Sequence, residues 1–246
     1  MSKASKDKDR RAVVEELRRE QERAEKRRTT MIIAAAVGVG LVIIGLAAYP
    51  LLKDARTQSE LGGRDLAGLG VPAADAGCTE VMATKAEGSA DHRPEGEPLA
   101  YDTSPPAAGP HYPTWAPMTR KFYTPQDRPE VGYLVHNLEH GYNVLWYDES
   151  LADDDEQLAV VKAIAQKFPG TDFENKFIAA PWTSEDGAPF PDGAQVALTH
   201  WSLGGTNGNP EGQQGITQYC DEVSGEAVAD FVEDYPYTDS PEPGAS

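Results

Sequence analysis

Five histidines carry the metal or acid–base chemistry open to this chain: His92, His111, His136, His140 and His200. Imidazole is the commonest side-chain ligand for zinc, copper and nickel, because its neutral form offers a nitrogen lone pair at physiological pH. Two of the five stand in His136-Asn137-Leu138-Glu139-His140-Gly141, which matches the H-x-x-E-H pattern of inverted zinc hydrolases. That chemistry needs both rings one helical turn apart and a further ligand from elsewhere. The surrounding residues argue for a different geometry. Gly132 to Leu138 and Tyr142 to Tyr147 are rich in aromatic and β-branched types, which predicts two strands joined by a tight turn at Glu139-His140-Gly141. On an extended strand, residues four apart share a face but lie about 13 Å from one another. Only a turn starting near Leu138 would bring the two rings together.

His111 has another setting. It lies in Pro105-Pro106-Ala107-Ala108-Gly109-Pro110-His111-Tyr112-Pro113, where prolines fix φ and remove donors, giving a stiff loop that is neither strand nor helix. Such a loop presents an imidazole at little entropic cost. The predicted ligand set is His111, His136 and His140, with His92 as a fourth. Glu139 is either a ligand or the acceptor that fixes one imidazole tautomer. Copper or zinc fits these donors, and Met118 would favour Cu(I) if its thioether turned inward. No G-x-S-x-G, C-x-x-C or glycine-rich phosphate loop is present. Asp153-Asp154-Asp155-Glu156 lacks the spacing of an EF-hand and reads as helix N-terminal charge.

The elements that must position these residues begin with an anchor. No charged residue occurs from Thr29 to Leu52, and about twenty such residues span a hydrocarbon core of roughly 30 Å. Arg23, Lys26, Arg27 and Arg28 precede the run, so the positive-inside rule puts the N-terminus in the cytoplasm. A cleaved signal peptide fits less well, since the apolar run is long and about thirty residues precede it. The formal charge of −18 is unevenly placed, +4 over residues 1–30 and −22 over the remainder. A part this acidic repels nucleic acid, which is excluded as a partner. The expected organisation is a basic cytoplasmic helix at 1–30, a transmembrane helix at 31–52, a Gly/Ala-rich tether at 53–77, an exported domain at 78–237 and a disordered tail at 238–246. Cys78 and Cys220, outside the cytoplasm, are expected to form a disulfide.

Within the domain, Asp153 to Phe168 is an amphipathic helix ended by Pro169-Gly170, Lys176 to Ala180 and Gln195 to Trp201 are strands, and Gly225 to Tyr235 is a short helix. The order is a loop-rich first half, then β-β-α-β-β-α. The fold class is α+β: a single membrane helix, then a small mixed sheet with helices packed on one face.

His92, Tyr101, the Pro105-Pro106 and Gly109-Pro110-His111-Tyr112-Pro113 blocks, Trp115-Ala116-Pro117 and Val135-His136-Asn137-Leu138-Glu139-His140-Gly141 together resemble a largely actinobacterial family known only as domain of unknown function 3105. The resemblance covers roughly residues 76–235 and follows the family's order and spacing. It implies an N-terminal anchor with an exported domain, and no established activity. His92, His111, His136, Glu139, His140 and Gly141 match. Ala107-Ala108 stand where Thr-Ser is expected, which removes a hydroxyl nucleophile there. His200 stands where a small residue is expected, outside any shared site.

Three readings follow. One is a membrane-anchored extracytoplasmic protein binding copper or zinc through its histidines. The second is a non-catalytic accessory subunit of a cell-envelope membrane complex, in which the histidines and Glu139 form a buried hydrogen-bond network. The third, ranked last, is a metal-dependent hydrolase.

Overall fold

The computed structural model describes residues 3–86, 91–191, 193–204 and 212–245; Met1, Ser2 and Ser246 of the expected end segments lie outside these. The chain divides into two compact units, Met1–Arg56 and Thr57–Ser246.

The first unit is most of one helix, α1 (Lys3–Gly62). The basic segment and the apolar run are continuous in it. Glu15 and Arg19 pair at 3.0 Å on its exposed surface, a contact worth a few tenths of a kcal/mol at most. Met31, Ile32, Leu41, Ile43, Leu46 and Leu52 are all exposed, and the helix is long and apolar enough to be a candidate membrane span. Pro50 lies inside it without ending it.

The second unit is built on a five-stranded mixed sheet. Its elements are β1 (Met82–Lys85), α2 (Val131–Glu139), β2 (Asn143–Asp148), α3 (Asp155–Ala165), β3 (Phe177–Trp182), β4 (Val196–Ser202), β5 (Gln214–Cys220) and α4 (Gly225–Asp234). The strand order is β1-β5-β4-β2-β3. Strands β2 and β3 are parallel, with Leu145 opposite Ala179, and α3 forms the crossover between them. The other pairs are antiparallel, with Leu145 opposite Leu198, His200 opposite Ile216 and Thr217 opposite Met82.

The central strands are buried on both sides, so they read as unbroken apolar runs rather than as alternation. Leu145, Tyr147, Phe177, Val196 and Leu198 face Val161 and Ile164 of α3 and Val228 and Phe231 of α4. Their neighbours Val144, Trp146, Ile178, Ala180, Trp182 and Trp201 face Leu134, Val135 and Leu138 of α2. The α+β class and the mixed sheet are as expected, and α2 with the proline-rich loop closes the second face.

Local chemistry explains the helix ends. Asp154 caps α3 by accepting from the backbone N–H groups of Glu156 and Gln157 at 3.0 and 3.1 Å. Beyond α3, Gly170 takes a positive φ of 72°. Ser224 caps α4 through the Ala227 N–H.

Three expectations are corrected. The strand at Gly132 to Leu138 is the helix α2. Val131, Leu134, Val135 and Leu138 recur at i, i+3, i+4 and i+7, a helical stripe that outweighs the β propensity of the individual residues. The tether is shorter than 53–77. From Thr57 onward the chain packs on the domain: Leu61, Leu69 and Ala76 are buried, and the Gln58 amide donates to the Ala159 carbonyl at 3.2 Å. The tail at 238–245 is ordered against the domain. Asp239 accepts from Ser202 Oγ at 2.6 Å, and Ser240 is fully buried. Composition suggested disorder there because the anchoring groups come from distant strands.

Cys78 and Cys220 form the expected disulfide, 142 residues apart in sequence. It joins the chain ahead of β1 to the end of β5.

Candidate metal centre

Three segments converge at the C-terminal end of α2. The first is α2 itself, which supplies His136 and Glu139 from its last turn and His140 at its C-cap. The second is the proline-rich loop carrying His111. The third is His92, whose backbone pairs with that of His111 in a parallel bridge, closed by hydrogen bonds from His111 N to Asp91 O (3.1 Å) and from Arg93 N to His111 O (2.7 Å).

The loop is held on α2 at three points. Asn137 donates through Nδ2 to the Ala116 carbonyl and accepts through Oδ1 from the Ala116 N–H, both at 2.9 Å. The Tyr112 hydroxyl donates to Glu130, the N-cap of α2, at 2.8 Å. Gly132 permits the approach, because a Cβ there would lie 2.7 Å from the Tyr112 ring. Behind the site Gly141 takes a positive φ of 89°, and a Cβ on it would strike the Tyr237 carbonyl at 2.4 Å.

These contacts fix the imidazoles in one sense. His111 Nδ1 lies 2.8 Å from the Gly109 carbonyl, and His136 Nδ1 meets the Tyr112 carbonyl. A carbonyl only accepts, so in both rings Nδ1 carries a proton; the neutral His136 ring keeps its lone pair on Nε2, whereas His111 Nε2 faces a carboxylate and donates to it when the ring is charged. His111 Nε2 stands 3.0 Å from Glu139 Oε2, with both side chains buried. His136 Nε2 stands 2.9 Å from His140 Nε2. Since His136 Nε2 holds no proton, the His140 ring is the donor in that contact.

The electrostatics follow from burial. Burial opposes a charge on His111, but the hydrogen bonds to Glu139 and Gly109 prevail and raise its pKa. Burial lowers that of His136. Burial, then the neighbouring His136, pushes His140 down to about 4. His136 and His140 are therefore neutral at pH 7, the state in which imidazole binds metal.

The side chains of His92, His111, His136 and Glu139 each offer one ligand atom, and these four atoms lie within 4.8 Å of one another. Tetrahedral ligands on zinc, with bonds near 2.0–2.1 Å, stand about 3.3 Å apart, so the atoms need draw in by at most about 1.5 Å. His140 falls into a second group, with Glu139 and Glu242. The rings of His92, His111 and His136 have centroids between 4.7 and 5.2 Å apart. His200 is elsewhere, with its Nε2 on the Asp239 carbonyl at 2.8 Å. Met118 is buried in the apolar cluster beneath α2.

Sequence reading named every member of the first group but missed two residues. Asn137 was visible within the His-Asn-Leu-Glu-His-Gly block, yet its loop-pinning role needs Ala116 beside it. Glu242 lies in the segment taken for a disordered tail, and nothing local marks it.

Comparison with known proteins adds the family and little else. No curated protein and no solved structure matches the chain. A family model described as protein of unknown function (DUF3105) matches residues 92–246. The match takes in His92, the proline-rich loop, α2 and Glu242, so both ligand groups lie within it. With more than half its length covered, the chain belongs to the DUF3105 family.

Proposed function

We propose that this is a membrane-anchored, extracytoplasmic metal-binding protein that holds one divalent transition metal on His92, His111, His136 and Glu139. The observation that carries the reading is the paired tautomer lock. Two buried imidazoles each give Nδ1–H to a backbone carbonyl, which leaves Nε2 of each as the ligating nitrogen: that of His111 lies 3.0 Å from Glu139 Oε2, and that of His136 faces His140. Metal-ligating histidines in proteins are oriented in this way. Three nitrogens and one oxygen suit zinc or copper(II). Met118 packs among hydrocarbon, which weakens the case for Cu(I). The extracytoplasmic placement rests on the basic residues before the apolar run and on the disulfide.

Four protein ligands make a closed site, the structural or storage type, whereas catalytic zinc keeps an open position. His92 is the one exposed ligand and is the position through which metal would exchange. Hydrolysis is the second reading, and α2 is what favours it: the helical turn that H-x-x-E-H chemistry requires is present. Hydrolysis would show as turnover of a model ester or peptide, lost in Glu139→Gln.

Full-length protein, purified in detergent and dialysed after exposure to zinc, is expected to retain one tightly held ion. His111→Ala combined with His136→Ala is expected to lose it. A metal-free wild type, with stability falling in the double variant all the same, would instead identify a hydrogen-bond network of the accessory-subunit kind.

A further inference from the structure

Glu139 belongs to two ligand groups, and the second has no counterpart in the reading above. His140, Glu139 and Glu242 also bring three ligand atoms within 4.8 Å of one another. His140 Nε2 lies 3.6 Å from Glu242 Oε2 on one side and 2.9 Å from His136 Nε2 on the other. We propose that the chain holds a second divalent transition-metal ion on His140 and Glu242, with the Glu139 carboxylate shared between the two ions. This rests on the first ion being bound as described.

The segment that brings Glu242 is built into place. Its backbone N–H donates to the Glu139 carbonyl at 2.9 Å. On either side the chain is fastened by side chains from β4 and from the residue just before β3. The His200 ring meets the Asp239 carbonyl at 2.8 Å. The Lys176 ammonium donates to the carbonyls of Pro243 (2.8 Å), Ala245 (2.6 Å) and His140 (2.7 Å). Lys176 has three donors and finds three acceptors, one of which is His140 itself. The same side chain therefore ties the C-cap of α2 to the strap that carries Glu242.

The hydrogen bond between His136 and His140 imposes an order. His136 Nε2 has one lone pair, which cannot both accept from His140 and bind a metal. Filling the first group leaves His140 Nε2 without its acceptor. Moving the His140 proton to Nδ1 then gives Nε2 a lone pair beside the two carboxylates. The second group is thus completed by occupation of the first. Three protein ligands leave its ion open to water, and paired ions about 3.5–4 Å apart that share a carboxylate are the arrangement used to bind phosphoryl or carbonyl oxygens.

The test is a calorimetric zinc titration of the full-length chain in detergent, checked by elemental analysis. The wild type is expected to take up two zinc ions in sequence. Glu242→Gln is expected to take up one, with the first step unchanged. The Glu242 side chain is half exposed, so the variant is expected to fold, and its first binding step reports that it has. A single zinc in the wild type, or two in both proteins, overturns the second site and leaves the first standing. No zinc in either overturns both.

Discussion

The two faces of the sheet are closed by different kinds of chemistry. Beneath α3 and α4, Leu145, Tyr147, Phe177 and Leu198 meet Val161, Ile164, Val228 and Phe231 in a layer of hydrocarbon. Each such side chain stabilises the fold by about 1.5–3 kcal/mol through burial. Beneath α2 and the proline-rich loop lies a floor of Trp146, Trp182 and Trp201. Over it His111, His136, Asn137, Glu139 and His140 are buried. Buried polar groups cost stability unless they are hydrogen-bonded, and here the bonds run to loop carbonyls and to each other. One face holds the domain together; the other uses part of that stability to fix ring orientations.

Substitutions on the two faces are therefore expected to separate stability from metal binding. The largest stability loss belongs to the apolar face. Ile164→Ala, at a fully buried position of α3, is expected to cost about 2–5 kcal/mol in denaturant unfolding. Zinc affinity should not change, and a loss there would mean that the faces are coupled. Asn137→Ala strikes the other face. It leaves the N–H and carbonyl of Ala116 without their partner, for a cost of about 1–3 kcal/mol. Because it frees the loop that carries His111, zinc affinity is expected to fall roughly 10- to 100-fold. An unchanged affinity would show that the loop holds its position without Asn137.

The same contrast governs how much could be read from sequence. The apolar face was legible: the stripe of α3, its acidic first turn and its Pro-Gly stop are all local signals. So were the long apolar helix, whose uncharged run is unbroken, and the disulfide between the two cysteines. The polar face was legible in composition but not in geometry. His92, His111, His136, Glu139 and His140 were all picked out by type. Their convergence depended on α2, and there individual β-formers obscured a helical period carried by Val131, Leu134, Val135 and Leu138. Strands β1 and β5 were missed for a related reason. Both carry polar residues, such as Thr84, Gln214 and Gln218, and take their order from pairing with each other and with β4. Glu242 was hidden because its segment is fastened by Lys176 and His200, more than thirty residues away.

X-ray absorption at the zinc edge, on full-length protein loaded with one equivalent of zinc, tests the central claim most directly. The account predicts three imidazole nitrogens and one carboxylate oxygen at about 2.0–2.1 Å. An all-oxygen shell, or a shell with a single imidazole, would contradict it.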